Sequence, residues 1–261
     1  MNRRGFALLA VLWVLTALTA LTGAGLLVAR LGTETTRNRM LLARAEWARE
    51  ACGEILLARF AIDPTIRELD PIDLGRRTWC RASLDDPGAR LNLNTVDRQA
   101  LVQLFTAVGV GRALAESVIV RRARGTVYDL LQVPGLDSTV AAHLAPFATV
   151  RGTGAVNINS APREVLRTLP GMTEEGVFLL SSRRALQPVH SADELAGLLS
   201  PSARTVFLAS YAEFVRAAVF DPPQLIATLE GGVRGTPIVA RATLTTVPVP
   251  GRLAVIRRET E

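Results

Sequence analysis

His190, Ser191 and Asp193 carry the residue types of a base, a nucleophile and an orienting carboxylate. Adjacency in sequence does not make a triad, whose members converge from separate segments. Their spacing better suits a helix start, with Ser191 capping a helix over 192–199. His143 falls within a helical pattern as a packing or surface residue. There is no G-x-x-x-x-G-K-[ST], G-x-S-x-G or H-E-x-x-H run, and the chain is not read as an enzyme. Two Cys and two His leave little material for a redox or metal centre. Cys52 lies on an apolar helix face and Cys80 on a strand expected to pack there. They can join as a disulfide in an oxidising compartment or stay as buried thiols. Asp70, Asp73, Asp85 and Asp86 offer oxygens of the kind Ca²⁺ takes, or they serve turns. Calcium is the one cofactor these residues suggest, with no ligand set assignable, and no other is expected.

The elements that carry these residues begin with an uncharged run. From Gly5 to Ala29 there are 25 residues without charge, bounded by Arg4 and Arg30. As a helix this run spans roughly 37 Å, more than the ~30 Å hydrocarbon core of a bilayer. Arg3 and Arg4 keep the short end cytoplasmic and put the remainder across the membrane. Thr16, Thr19, Ala20 and Gly23 recur at helical spacing, either as a strip for close helix approach or as ordinary membrane-helix composition. Leu41, Ala45, Ala48, Cys52, Ile55 and Leu56 continue the periodicity beyond the apolar run. The spacing predicts one helix of about 55 residues, from Phe6 to about Phe60, ended by Asp63-Pro64.

Charge placement separates partner classes. The chain has 261 residues, a net charge of +6 and no lysine, its basic residues all being arginine. Mean hydropathy is +0.25 and the pI about 10.7. A basic excess suits nucleic acid or a membrane surface. Residues 1–49 hold seven Arg against two Glu, whereas 91–150 are net +1 and 156–200 net −1. The excess therefore flanks the apolar run.

The near-neutral middle is a repeat. Leu91-Asn92-Leu93-Asn94-Thr95 and Val156-Asn157-Ile158-Asn159-Ser160 match at an offset of 65. Each precedes a helical stretch (97–107 and 162–169), a Gly turn (Val108 to Gly111 and Leu169 to Met172), a second helix and an Arg pair, Arg121-Arg122 or Arg183-Arg184. Thr95 and Ser160 are expected N-caps, with Pro162 in the first turn. The pattern resembles the helix-hairpin-helix repeat, which in DNA-binding proteins holds a phosphate on Gly-rich amides. Only Gly109-Val110-Gly111 keeps that turn here; the second copy reads Gly171-Met172-Thr173-Glu174-Glu175. Two carboxylates at a phosphate site and no net charge argue against nucleic acid, and none is expected as a partner. Thr78 to Leu84, Phe207 to Tyr211, Glu213 to Phe220, Leu225 to Leu229 and Ile238 to Thr246 read as strands between Pro- and Gly-rich turns.

Arg3-Arg4-Gly5-Phe6-Ala7-Leu8-Leu9 resembles a type IV prepilin cleavage site. The resemblance implies cleavage between Gly5 and Phe6 by a prepilin peptidase and N-methylation of Phe6. The fifth mature position, usually Glu in pilin-like subunits, is Ala10. A Glu there offsets the desolvation of a neighbour's terminal amine inside a fibre; a subunit without it suits a fibre end. With the repeat, this resembles the K-type minor pseudopilins of type II secretion, the general secretion pathway protein K family. That family implies an α+β, pilin-like fold: a long N-terminal helix on an antiparallel sheet, with an inserted all-α helix-hairpin-helix/SAM-like domain. The expected divisions are a leader 1–5, a transmembrane and pseudopilus-core helix 6–29, a periplasmic helix and first strand 30–90, the inserted domain 91–203 and a β-meander 204–261. The implied partners are I- and J-type minor pseudopilins, the prepilin peptidase, the inner-membrane assembly platform and membrane lipids. The implied location is the inner membrane, with most of the chain in the periplasm before extraction into a pseudopilus whose tip it caps. Some members of related pseudopilin families bind calcium, although no residues here align to such a site. Two alternatives stay open: a membrane-anchored helix-hairpin-helix DNA receptor, and an unprocessed bitopic scaffold.

Overall fold

The computed structural model describes residues 3–260, with side chains from Val11 onward. Helix α1 (Arg3–Ile62) runs unbroken for 60 residues, roughly 90 Å at 1.5 Å per residue. It stops where Asp63-Pro64 requires. The Asp63 N–H still donates to Arg59 O (2.8 Å), and its carboxylate accepts from the N–H and hydroxyl of Thr65 (2.9 and 2.6 Å). Pro64 has no N–H with which to continue the ladder. The cleavage junction Gly5–Phe6 and Ala10 lie in the opening turns of α1, where side chains fall outside the described residues.

Strands β1 (Glu68–Gly75) and β2 (Thr78–Asp85) follow as a hairpin. β2 covers the strand expected over 78–84. β1 has no counterpart in the sequence reading, because Asp70, Pro71 and Asp73 break its alternation. Its ladder with β2 slips between Leu69 and Ile72, a place where an edge strand tolerates proline.

The chain then leaves the sheet for a duplicated helical insertion. Its first half is β3 (Leu91–Asn92), α2 (Arg98–Ala107), α3 (Arg112–Ala123), α4 (Ser138–Leu144) and β4 (Ala148–Thr149). Its second half is β5 (Val156–Asn157), α5 (Arg163–Leu166), α6 (Glu174–Arg184), α7 (Ala192–Leu198), α8 (Pro201–Ala209), α9 (Tyr211–Ala217) and β6 (Ala218–Val219). Each half closes on itself by a short parallel pair, β3 with β4 and β5 with β6. Leu101, Phe105, Ile158, Leu180, Phe207 and Phe214 belong to one core shared by both halves.

The structure departs from three local expectations. Segments 207–211 and 213–220, expected as strands, are α8 and α9, with only Ala218–Val219 extended. Ser200 caps α8 through Ala203 N–H, and Pro201 opens it, the start chemistry of a helix. Phe207 on α8 and Phe214 on α9 are both buried with ring centroids 4.8 Å apart, a contact that an extended strand, placing them on opposite faces, excludes. The helical insertion thus continues past residue 203, where a meander was expected. Thr95 and Ser160 are not N-caps: both sit in turns closed on the Asn92 and Asn157 carbonyls. Asp97 caps α2, and Pro162 itself occupies the cap position of α5.

The sheet resumes with β7 (Leu225–Val233), β8 (Val239–Val249) and β9 (Arg252–Thr260). Its order is β1-β2-β7-β8-β9, antiparallel throughout. β2 and β7 are neighbours, with Asp85 opposite Ile226, so the insertion leaves and re-enters at one end of the sheet. β9 is also absent from the sequence reading; its exposed charges suit a sheet edge. The C-terminal half of α1 lies on this sheet. Ala48, Cys52, Leu56 and Phe60 pack with Cys80, Ala82, Leu84, Ala227, Leu229 and Leu244. The α+β arrangement expected from the sequence, a long helix on an antiparallel sheet with extra helices, is the one observed.

Candidate functional site

The first candidate is the free part of α1. Every side chain from Val11 to Leu31 is exposed, with Trp13 at 70 %, Leu21 at 77 % and Leu26 at 73 %. This is the one helix among the described residues that is long and apolar enough to cross a membrane. The hydroxyls of Thr16, Thr19 and Thr22 donate to carbonyls three or four residues earlier, Trp13, Leu15 or Thr16, and Leu18 or Thr19. Such bonds satisfy polar groups where lipid offers none. A strip of small residues stands unpartnered along the same helix.

The second candidate is the repeat, whose conserved geometry is a pair of asparagine clamps. Asn94 Oδ1 accepts from Val127 N–H (2.8 Å), and its Nδ2 donates to the carbonyls of Val127 (2.9 Å) and Val150 (3.3 Å). Asn159 accepts from Val189 N–H (3.0 Å) and donates to the carbonyls of Val189 (2.8 Å) and Phe220 (2.7 Å). Arg122 donates to Leu93 O and Val96 O, and Arg184 to Ile158 O and Ala161 O. Burial pulls the Arg184 guanidinium below its usual pKa, and the nearby Arg163 adds to this. The second residue of each arginine pair is therefore a structural donor. Matching the two halves shows Val150 and Phe220 in equivalent places, so the second copy ends near residue 220.

The two hairpin turns differ. Gly109 and Gly111, at φ 76° and 93°, have open space where a Cβ would stand. The flanking Arg98 and Arg112 are drawn to Glu116 (2.7 and 3.7 Å). In the second copy α8 closes the turn: a Cβ on Gly171 would lie 3.0 Å from Phe207 Cα. Phosphate-binding amides need an open approach, and this copy lacks one.

The remaining candidates separate. Ser191 caps α7 by accepting from Glu194 N–H (3.1 Å), and Asp193 accepts from the Tyr211 hydroxyl (2.9 Å). His190 N–H is held by Glu194 (2.9 Å). The structure thus uses the three residues at a helix start. His143 Nε2 meets Val108 O at 2.9 Å beside the first hairpin. Asp73 and Asp86 serve turns, accepting from Gly75 N–H and Gly88 N–H (both 2.8 Å). Asp86 also accepts from Asn157 Nδ2 (2.8 Å) and the Ser160 hydroxyl (2.6 Å), tying the β2 end to the second repeat. Asp85 pairs with Arg90. Among the described residues no three His, Cys, Asp or Glu side chains are grouped to hold a metal ion.

Cys52 and Cys80 stand as free, fully buried thiols in the same apolar cluster between α1 and β2. Burial raises both pKa values from the usual 9.0; the neighbouring thiol adds to the rise at Cys52 and opposes it at Cys80. The protonated thiols are favoured in the folded state and not in the unfolded chain. Their contribution to stability is complete below pH 9 and declines above it. Reduced protein is expected to lose roughly 1 kcal/mol per pH unit beyond about pH 9.5. Urea titrations from pH 8 to 11 measure this, and Cys52→Ser with Cys80→Ala should flatten the profile. The absence of lysine keeps the window clear. Tyr211, raised by its hydrogen bond to Asp193, remains in both proteins as a common background.

No protein-family model matches the chain, and no curated protein matches it. Among solved structures, a chain in the GspK-GspI-GspJ complex of the enterotoxigenic Escherichia coli type 2 secretion system superposes with a TM-score of 0.63. The match covers 87% of this chain and 99% of that chain at 16% identity. The likeness is one of fold.

Proposed function

We propose that the chain is a K-type minor pseudopilin of a type II secretion system, an assembly subunit rather than a catalyst. The observation that carries this is the match to a chain of the GspK-GspI-GspJ complex over nearly the full length of both. Three further features agree: a free apolar helix, a helical insertion between adjacent strands, and the Arg4-Gly5-Phe6 junction.

On this reading a prepilin peptidase cuts after Gly5 and methylates Phe6. The mature α1 resides in the inner membrane, with the head in the periplasm, until an assembly platform extracts it. The helix then packs among others in the pseudopilus, and Ala10 provides no carboxylate for a subunit above. I- and J-type minor pseudopilins are the proposed partners at the tip, with the insertion as its outward cap. Export to an oxidising compartment would let the neighbouring Cys52 and Cys80 form a disulfide between α1 and β2, adding about 3–4 kcal/mol for a loop of this size.

The test is N-terminal mass analysis of protein from membranes that carry the peptidase. The expected first residue is N-methylated Phe6, and Gly5→Val should leave Met1 in place with cleavage reduced at least ~100-fold. An intact Met1 in the parent protein would overturn the processing claim. Failure to co-purify with I- and J-type partners would overturn the tip assignment.

A further inference from the structure

A groove opens where α1 emerges from its apolar segment and first meets the sheet. Its volume is about 750 Å³, and it is walled by α1 from Ala29 to Arg44, the β1–β2 turn and the β7–β8 turn. Five arginines line it from three separate segments: Arg37, Arg44, Arg76, Arg77 and Arg234. No carboxylate lines it. Asp73 lies 3.6 Å from Arg234, and Glu34 pairs with Arg30 at the groove's edge. The other four arginines of the groove form no ion pair among the described residues. Four unpaired like charges lining one groove repel one another unless an anion joins them.

The turn that delivers two of them is conformationally unfavourable. Gly75 pairs with Thr78, leaving Arg76-Arg77 as a two-residue hairpin loop. Both residues have positive φ, 51° and 65°. Such a loop favours Asn-Gly, and side chains of arginine's size rarely accept it. Arg77 Nη2 lies 2.4 Å from where a Cβ on Gly235 would stand, so the glycine of the next turn leaves room for that guanidinium. Backbone strain of this kind recurs where a ligand is held.

Position names the ligand. Ala29, the last residue of the uncharged run, lines the groove. Arg37 follows it by about 12 Å along α1, close to a Debye length from the headgroup layer. We infer that the groove binds the headgroups of anionic phospholipids in the leaflet from which α1 emerges, seating the head on the membrane until extraction. This rests on the membrane-spanning reading of α1.

The test uses the full chain in nanodiscs of phosphatidylcholine alone or with 30% phosphatidylglycerol, followed by phenylglyoxal labelling and residue-level mass analysis. Incorporation is checked first by co-elution with the scaffold; a chain that stays outside the discs overturns the spanning reading and this inference together. For incorporated protein, phosphatidylglycerol should slow labelling of Arg76 and Arg77 at least ~5-fold, the effect of one arginine at an anionic surface. Arg257 and Arg258 on β9 should be unaffected. Equal labelling in both discs overturns the headgroup site while leaving the span intact. Protection by inorganic phosphate in phosphatidylcholine discs overturns the lipid assignment in favour of a small-anion site. Arg76→Asn with Arg77→Gly supplies the favoured turn, so it should raise the melting temperature while abolishing enrichment of phosphatidylglycerol seen by native mass spectrometry. Unchanged enrichment in that variant also overturns the proposal.

Discussion

Gly231→Ala is expected to destabilise the head by about 3–5 kcal/mol, whereas Gly232→Ala, one residue on, should lower stability by about 1 kcal/mol or less. The two glycines lie on opposite faces of β7. A methyl on Gly231 would stand 2.3 Å from Arg49 N, 2.4 Å from Ala45 O and 2.9 Å from Ala48 C. All three are backbone atoms of α1, and a continuous helix cannot yield at one point. The whole helix must lift. Gly231 is flanked across the ladder by Cys80 and Ala240, and Ala45 and Ala48 face it from α1. This row of small residues lets α1 approach the sheet at van der Waals distance. Lifting it by an ångström opens the seam between Cys52, Leu56 and Leu229, with the cavity cost that close-packed cores incur. At Gly232 the obstacle is the half-buried indole of Trp79, 2.8 Å away, and a side chain can swing. Urea denaturation of the full chain in detergent, followed by near-ultraviolet circular dichroism, measures both variants. Equal losses at the two positions would refute the close-approach argument.

The second large effect should come from the repeat clamps. Asn159→Ala leaves Val189 N–H, Val189 C=O and Phe220 C=O without their partner inside the insertion. Each buried orphan costs about 1–3 kcal/mol, so a loss of about 3–5 kcal/mol is expected, and Asn94→Ala should behave alike. Asn159→Asp is the sharper probe. It keeps the acceptor for Val189 N–H but turns the other oxygen on two carbonyls 2.8 and 2.7 Å from the present Nδ2. That carboxyl is expected to have a raised pKa, because its protonated form can donate. The difference from the parent should therefore shrink on acidification below about pH 5 and widen above it. Amide exchange at Val189 supplies the local readout: protection should fall at least ~100-fold in Asn159→Ala, and unchanged protection would remove the clamp from the account.

These asparagines also show how far the residues alone reach. Leu-Asn-Leu-Asn at 91 and its counterpart at 156 mark the duplication, and their offset places two helical hairpins correctly. The partners of Asn94 and Asn159 are backbone groups 30 to 61 residues away, and backbone groups have no letter in the sequence. The same holds for α8 and α9. Their Val, Phe and Tyr content favours strand locally, and burial of Phe207 and Phe214 against the second hairpin selects helix. Ser200-Pro201 and the seven-residue Phe spacing were the signals available for that correction. β1 and β9 were hidden for another reason: edge strands carry charge and proline, and their pairing is lent by neighbours already in the sheet.

The sequence by itself determined the spine, its uncharged run, its stop at Asp63-Pro64, the basic flank and the repeat. Each is a local signal, set by composition, helical period or backbone chemistry within a few residues. The tertiary structure alone decided that Gly231 admits α1, and that Arg37, Arg44, Arg76, Arg77 and Arg234 share one groove. Those juxtapositions come from strand order and from a helix crossing a sheet. A chain read in one dimension does not contain them, because residues far apart in sequence become neighbours only when the apolar faces are buried together.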